Sequence, residues 1–132
     1  MTDCPDVRDY GPFGNRQYVL FIDDEPVSHA CVGESRYDED DGTLEQAASL
    51  KLIWTPPDHR GHQYGRKLVV ELQRLFPDIV HDGQLSSHGR KLVDELGIPH
   101  DGRTTPVSYD GAEAESKGAE AWAKWTAEYL DA

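Results

Sequence analysis

Apolar residues gather in short strand-like runs in the first half of this chain and recur at helical spacing in much of the second. Tyr18-Val19-Leu20-Phe21-Ile22 is aromatic and β-branched, a composition that suits a pleated strand. Asp23-Asp24-Glu25-Pro26 then reads as a turn, and Val27-Ser28-His29-Ala30-Cys31-Val32 as a returning strand, so the pattern predicts an antiparallel hairpin. His29 shares a face with Val27 and Cys31 by alternation, which marks a half-buried structural histidine rather than a ligand. Residues 44–54 form a third strand with a break near Gln46-Ala47, and Pro56 and Pro57 end it because proline cannot donate to a ladder. Leu68, Val69, Leu72, Leu75 and Phe76 follow on one face of a helix of about three turns. Pro77 stops that helix, and Asp78-Ile79-Val80-His81 is a short buried strand. Ser86 or Ser87 caps a second helix with Leu92, Val93 and Leu96 on its apolar face, closed by Gly97 and Pro99. Strand, helix and strand in that order imply a right-handed crossover and a locally parallel pair.

The ends are less regular. Residues 1–15 are rich in Asp, Pro and Gly and read as a tail or an irregular first strand. Residues 103–109 favour extended structure, with Pro106 marking an edge. Residues 111–132 read as a C-terminal helix with Gly118, Trp122, Trp125, Thr126 and Tyr129 on one stripe. That stripe packs on the protein's own sheet, a dimer contact being the second choice. Residues 16–110 thus form the body of one domain, which a length of 132 residues allows. The expected class is α/β (α+β): a mixed, mostly antiparallel sheet with a central parallel pair, which the family resemblance described below implies is splayed, helices on its faces, and the C-terminal helix.

Composition narrows the function. With 25 acidic against 13 basic residues the net charge is −12, a field that repels nucleic acid and attracts cations, when it is not simply a solubility device. Asp38-Glu39-Asp40-Asp41 is a solvated loop, since it lacks the glycine and distal Glu of a calcium-binding loop. No apolar run reaches bilayer length and the first residues do not form a secretory signal. A cytoplasmic protein, monomer or homodimer, with Cys4 and Cys31 as free thiols is therefore expected. No His or Cys pair has zinc-ligand spacing, so no metal is expected.

The chemistry concentrates at Thr55-Pro56-Pro57-Asp58-His59-Arg60-Gly61-His62-Gln63-Tyr64-Gly65-Arg66. An apolar strand enters this stretch and a helix leaves it. Helix N-termini present unpaired N–H groups and a positive dipole end, so the turn can bind a diphosphate through its backbone. Gly61 and Gly65 allow close approach, and Arg60 and Arg66 add charge.

Here the sequence resembles the GNAT superfamily of acyl-CoA-dependent N-acyltransferases, whose mark is V-x-P, then x-x-R-G-x-G-x-G/A, then a helix. Thr55, Pro57, Arg60, Gly61 and Gly65 match in register, with Thr55 in place of the usual Val and Gln63 in place of the usual Gly. A second likeness is Leu96-Gly97-Ile98 at the end of the following helix. The resemblance spans about residues 18–98, in family order, with a weaker likeness to an actinobacterial and phage branch at His81, Ser86 and Gly89. It implies acetyl-CoA as cofactor, with the diphosphate at Arg60, Gly61, His62, Gln63, Tyr64, Gly65 and Arg66. The pantetheine arm then pairs with the strand end from Ile53 to Thr55.

Many family members protonate the leaving thiolate with a Tyr four residues before the glycine of the second helix, where this chain has Val93. His81 and Ser86 are the nearest polar replacements, with Tyr64 and His88 behind them, and Glu45 is a candidate base. The structural alternatives are a strand-end histidine, a helix cap and an exposed acid. His59 and His62 are read as cofactor contacts rather than metal ligands. The implied activity is N-acetyl transfer to a cationic amine on a small molecule or a basic protein, with no nucleic-acid or membrane partner. Gln63 and Val93 motivate a second reading, a catalytically degenerate module that binds or inhibits a protein. A nucleic-acid mimic would rest on charge alone.

Overall fold

The computed structural model describes residues 5–11, 15–38, 44–102, 107 and 110–130, with the backbone alone at 15, 34–38 and 44–47. One five-stranded sheet is ordered β1-β2-β3-β4-β5. β1 (Asp6–Tyr10), β2 (Asn15–Ile22), β3 (Glu25–Asp38) and β4 (Leu44–Trp54) pair antiparallel in turn. β5 (Val80–His81) joins β4 in parallel. α1 (Tyr64–Leu75) and α2 (Ser87–Glu95) flank β5 in the chain, and α3 (Gly111–Tyr129) ends it. This is the mixed sheet with one parallel pair and a C-terminal helix that the pattern predicts.

Two cores lie on opposite faces of the sheet. Tyr18, Leu20, Ala30, Val32 and Leu50 meet Leu68, Val69 and Leu72 of α1 and Val93 of α2. Val19 and Phe21, which alternate with the first set, meet Trp125 of α3. The Trp125 ring lies 6.1 Å from Phe21 and 5.2 Å from Tyr10, edge-on in both cases, a favoured aromatic geometry.

Several expectations change. Asp23 and Asp24 alone form the hairpin turn, with φ of 52° and 64°; two left-handed residues are the type I′ geometry that matches strand twist. The register skips Val27 between Leu20↔Ser28 and Phe21↔Pro26. This bulge puts Val27 into the α1 core while His29 faces the tryptophans of the other side. β4 runs unbroken through Gln46-Ala47, its irregularity falling instead at Lys51, between Cys31↔Leu52 and Val32↔Leu50. Residues 6–10 form a regular edge strand, in which Arg8 pairs with Asp6 and Asp24 and lies over the Phe21 ring. Leu75 is 44% exposed rather than part of the helix face. The strand expected over 78–81 shortens to two residues because Ile79 N–H turns back to the Phe76 carbonyl.

The chain beyond α2 returns to β5 through a single parallel bridge, His81↔His100. Of the edge strand expected over 103–109, only Val107 is described; it lies outside any strand and donates its N–H to the Gly83 carbonyl at 3.1 Å. Most of the acidic loop, and Cys4, lie outside the described residues. Among these no helix is long and apolar enough to cross a membrane.

Candidate active site

The site begins where β4 and β5 part. Leu50 is the last β4 residue with a β5 partner, and the Asp82 N–H reaches its carbonyl at 3.3 Å. From Lys51 to Trp54 that side of β4 has no strand partner among the described residues, leaving a slot. Thr55 leaves the strand tied down at both polar groups. Its hydroxyl meets Ser28 Oγ at 2.9 Å, and its carbonyl accepts from Arg60 Nε at 2.9 Å. A 3-10 turn, Pro57–His59, begins at the second of the two prolines.

The chain then passes through Gly61 at φ +89° and Gln63 at φ +60°. Left-handed residues are common in backbone nests that hold anions. Gln63 closes the turn by accepting the Lys67 N–H at 3.0 Å and makes no side-chain cap, so α1 opens without a side chain on its first N–H groups. A Cβ built on Gly65 would lie 3.6 Å from Ile53 Cγ2 and from Thr55 Oγ1, an ordinary contact. Within the protein, therefore, the helix start has room for more than glycine.

A cavity of about 800 Å³ opens over this turn. Ile53 and Thr55 form its strand wall, and Arg60, Gly61, Gln63, Tyr64, Gly65 and Arg66 its floor. Ser86, His88 and Lys91 line it from α2, and His59 from the 3-10 turn. His62 does not line it and stacks on Tyr64 instead, with centroids 5.2 Å apart. Both arginines of the turn are paired: Arg60 with Glu115 of α3 at 2.7 Å, Arg66 with Glu95 of α2 at 3.0 Å. Arg60 holds the Glu115 carboxyl below its ordinary pKa.

The acid–base candidates separate. Ser86 caps α2, its Oγ accepting the Gly89 N–H at 3.1 Å, which leaves the hydroxyl proton free to donate. His81 is buried, does not line the cavity, and accepts the Gly83 N–H at Nδ1 at 3.0 Å. Burial, and then His100 at 5.4 Å between ring centroids, lower its pKa. The two residues are thus close in sequence, but only Ser86 reaches the cavity. Glu45 pairs with Tyr37 toward the far end of β4, about 30 Å along the strand from Trp54; its side chain lies outside the described residues. Val93 is fully buried in the core.

Sequence reasoning missed the part of α3. Asp110, Gly111, Ala114 and Glu115 close one side of the cavity, and Asp110 holds the start of α2. Its carboxylate accepts the Ser87 N–H at 3.0 Å and the Ser87 hydroxyl at 2.7 Å, which keeps its pKa low. These contacts cross long stretches of chain, and no local pattern marks them. Among the described residues no His, Cys, Asp and Glu group could hold a metal ion.

No family model matches this chain, and no curated protein does. Solved structures do. The aminoglycoside N-acetyltransferase AAC(6')-Iy in complex with CoA aligns at a TM-score of 0.55 and 12% identity, over 80% of this chain and 100% of that one. A predicted acetyltransferase with acetyl-CoA from Clostridium acetobutylicum aligns at 0.53 and 11%, over 71% and 64%. The KacTA–DNA complex aligns at 0.53 and 16%, over 67% and 60%. This chain spans less than two thirds of the last two. At such identities the likeness is one of fold.

Proposed function

We propose that this chain, whose fold is that of the GNAT acyltransferases, moves an acetyl group from acetyl-CoA to an amine. The observation that carries the proposal is the cavity itself. It joins a slot between parting strands to a backbone turn at a helix N-terminus, with Arg60 and Arg66 beside it. Such a turn suits a diphosphate, and the slot offers unpaired strand backbone to an extended arm.

Acetyl-CoA supplies the thioester. The resting ammonium first loses one proton to solvent; the neutral nitrogen then forms the new bond to the thioester carbonyl carbon, the carbon–sulfur bond breaks, and the second proton lost from nitrogen is balanced by one gained at sulfur. In this reading Ser86 donates toward the sulfur from the start of α2, filling the place left by Val93. His81, held inside, orients the β5–α2 turn through Gly83. The acceptor carries positive charge at rest, on a small molecule or a basic protein segment, in keeping with the net charge of −12; that charge also argues against a nucleic-acid partner. Val93, buried and aliphatic, supports the second reading of a binding module without turnover.

Calorimetry with acetyl-CoA tests the proposal. Binding is expected, and Gly65→Ala should weaken it by about tenfold or more, because the new Cβ fits the protein but stands where the ligand approaches the backbone. Absence of binding to the parent protein rejects the reading. Turnover decides between enzyme and module. Ser86→Asn keeps a capping side chain and removes the hydroxyl, so kcat should fall by about tenfold or more with unchanged acetyl-CoA affinity.

A further inference from the structure

The lysine and arginine side chains that line the cavity are Arg60 and Arg66 at the turn and Lys91 on α2. Their surroundings differ. Arg60 is held by Glu115 and Arg66 by Glu95, whereas Lys91 has no hydrogen-bond or ion-pair partner among the described residues. The reason lies in α2 itself. Lys91 stands four residues before Glu95, a spacing at which opposite charges can meet on a helix, although lysine before glutamate is the weaker of the two orders. Glu95 turns instead across the gap between the helices, where Arg66 Nη1 donates to it at 3.0 Å. The pair that ties α1 to α2 thus leaves the Lys91 ammonium for a ligand.

We propose that Lys91 holds the 3′-phosphate of CoA and so makes this chain distinguish CoA from its 3′-dephospho form. The inference rests on the acetyltransferase reading and assigns a part of the ligand that the turn does not serve. CoA carries a diphosphate and, one ribose away, a phosphate monoester. The backbone turn suits the diphosphate. The monoester bears about two negative charges at neutral pH, and such a group loses its water against a protein wall at a cost unless a cation meets it.

The turn and α2 line one cavity, so a group one sugar away from the diphosphate has α2 within reach. Apart from Lys91 and the neighbouring His88, the ionisable groups that α2, α3 and the cap of α3 present there are the carboxylates Glu95, Asp110 and Glu115. These repel a phosphate, and repulsion elsewhere sharpens the choice of the one place that attracts it. A lysine also suits the group. Its ammonium is a compact charge with three rotatable donors, which matches a tetrahedral monoester that presents no fixed plane.

Calorimetry on the full chain at low salt, with acetyl-CoA and with 3′-dephospho-acetyl-CoA, tests the assignment. The parent should bind acetyl-CoA more tightly by about tenfold, the low end for a charged hydrogen bond because Lys91 is exposed. Lys91→Gln keeps a good helix former at this position. It should weaken acetyl-CoA by the same factor, leave the dephospho form unchanged, and so abolish the difference. Lys67→Gln is the control. It removes the same charge from α1, but Lys67 Nζ lies 5.6 Å over the Tyr64 ring and outside the cavity lining, so the difference should survive. The proposal is overturned if the parent binds both forms alike, or if the difference persists in Lys91→Gln. It is also overturned if Lys91→Gln weakens both forms equally, which puts Lys91 on the diphosphate, or if Lys67→Gln abolishes the difference too, which makes the effect one of net charge. Any of these results with acetyl-CoA bound removes this inference and keeps the acetyltransferase. Binding of neither form to the parent removes both.

Discussion

The His29 ring sits edge-on to Trp54 and Trp122, with centroids 5.8 and 5.2 Å away, and meets the Gln17 amide at Nδ1. Burial pushes its pKa down to about 4, against a weaker opposing pull from the Gly118 carbonyl. The folded chain therefore binds this proton less readily than the unfolded one. The stability from a neutral His29 is complete above pH 6.5 and is lost as pH falls from there to about 4, by about 3 kcal/mol in all. Urea unfolding across that range should show this slope, and His29→Gln should flatten it. The carboxyls held low by hydrogen bonds, Asp110 and Glu115, titrate from their ordinary values downward, so their windows meet that of His29 only at its acid end. Gln63 offers a second residue-scale prediction. Its left-handed φ of 60° is strained for a residue with a Cβ and free for glycine, so Gln63→Gly should raise stability by up to about 1 kcal/mol in thermal unfolding without ligand. Where the Gln63 side chain crowds the diphosphate, the same variant should also bind acetyl-CoA more tightly, and calorimetry on it separates that effect from the backbone one. Alternation alone placed His29 in a half-buried strand, but neither its complete burial nor its tryptophan neighbours are visible from positions 27–32, because the bulge at Val27 and the docking of α3 set them.

At the scale of elements, α3 approaches β4 through one glycine. A Cβ on Gly118 would overlap the Trp54 ring at Cδ1, Cγ and Nε1, and that ring is itself packed against His29 and Trp122. Gly118→Ala should therefore destabilise the fold by about 2 kcal/mol, as overpacking outweighs the gain of about 1 kcal/mol in helix propensity. Differential scanning calorimetry gives the direction, and a rise in Tm would mean that α3 sits further from the sheet. The stripe Gly118, Trp122, Trp125, Tyr129 was legible as a helical face. So were the ends of α2: the Ser86 cap, and the left-handed Gly97 with the Ile98 N–H on the Val93 carbonyl at 2.9 Å, a Schellman closure. β1 was not, because its polar composition resembles a tail and its order depends on Arg8 and on the rings behind Tyr10.

In the whole molecule, α3 is tied to the turn by the Arg60–Glu115 pair, whose side chains are 43% and 48% exposed. Exposed pairs contribute little to stability, so Glu115→Gln should leave Tm near the parent value. It should nevertheless strengthen acetyl-CoA binding a few-fold at low salt, since Arg60 loses a competing carboxylate, and the gain should shrink as salt screens the site. Equal affinity of parent and variant at low salt would show that Arg60 does not meet the phosphates. Sequence alone determined the hairpin, the turn that opens α1, the capped α2 and most of the residues that floor the cavity, because periodicity, proline, glycine and capping act over a few neighbouring residues. The tertiary structure decided the rest. Ser86 reaches the cavity while His81 does not, Glu45 lies far along β4, and Glu95 and Glu115 hold the two arginines while Lys91 is left without a partner among the described residues. Each of these depends on where distant segments meet, and side-chain chemistry along a chain carries no record of that distance until the sheet and its helices have packed.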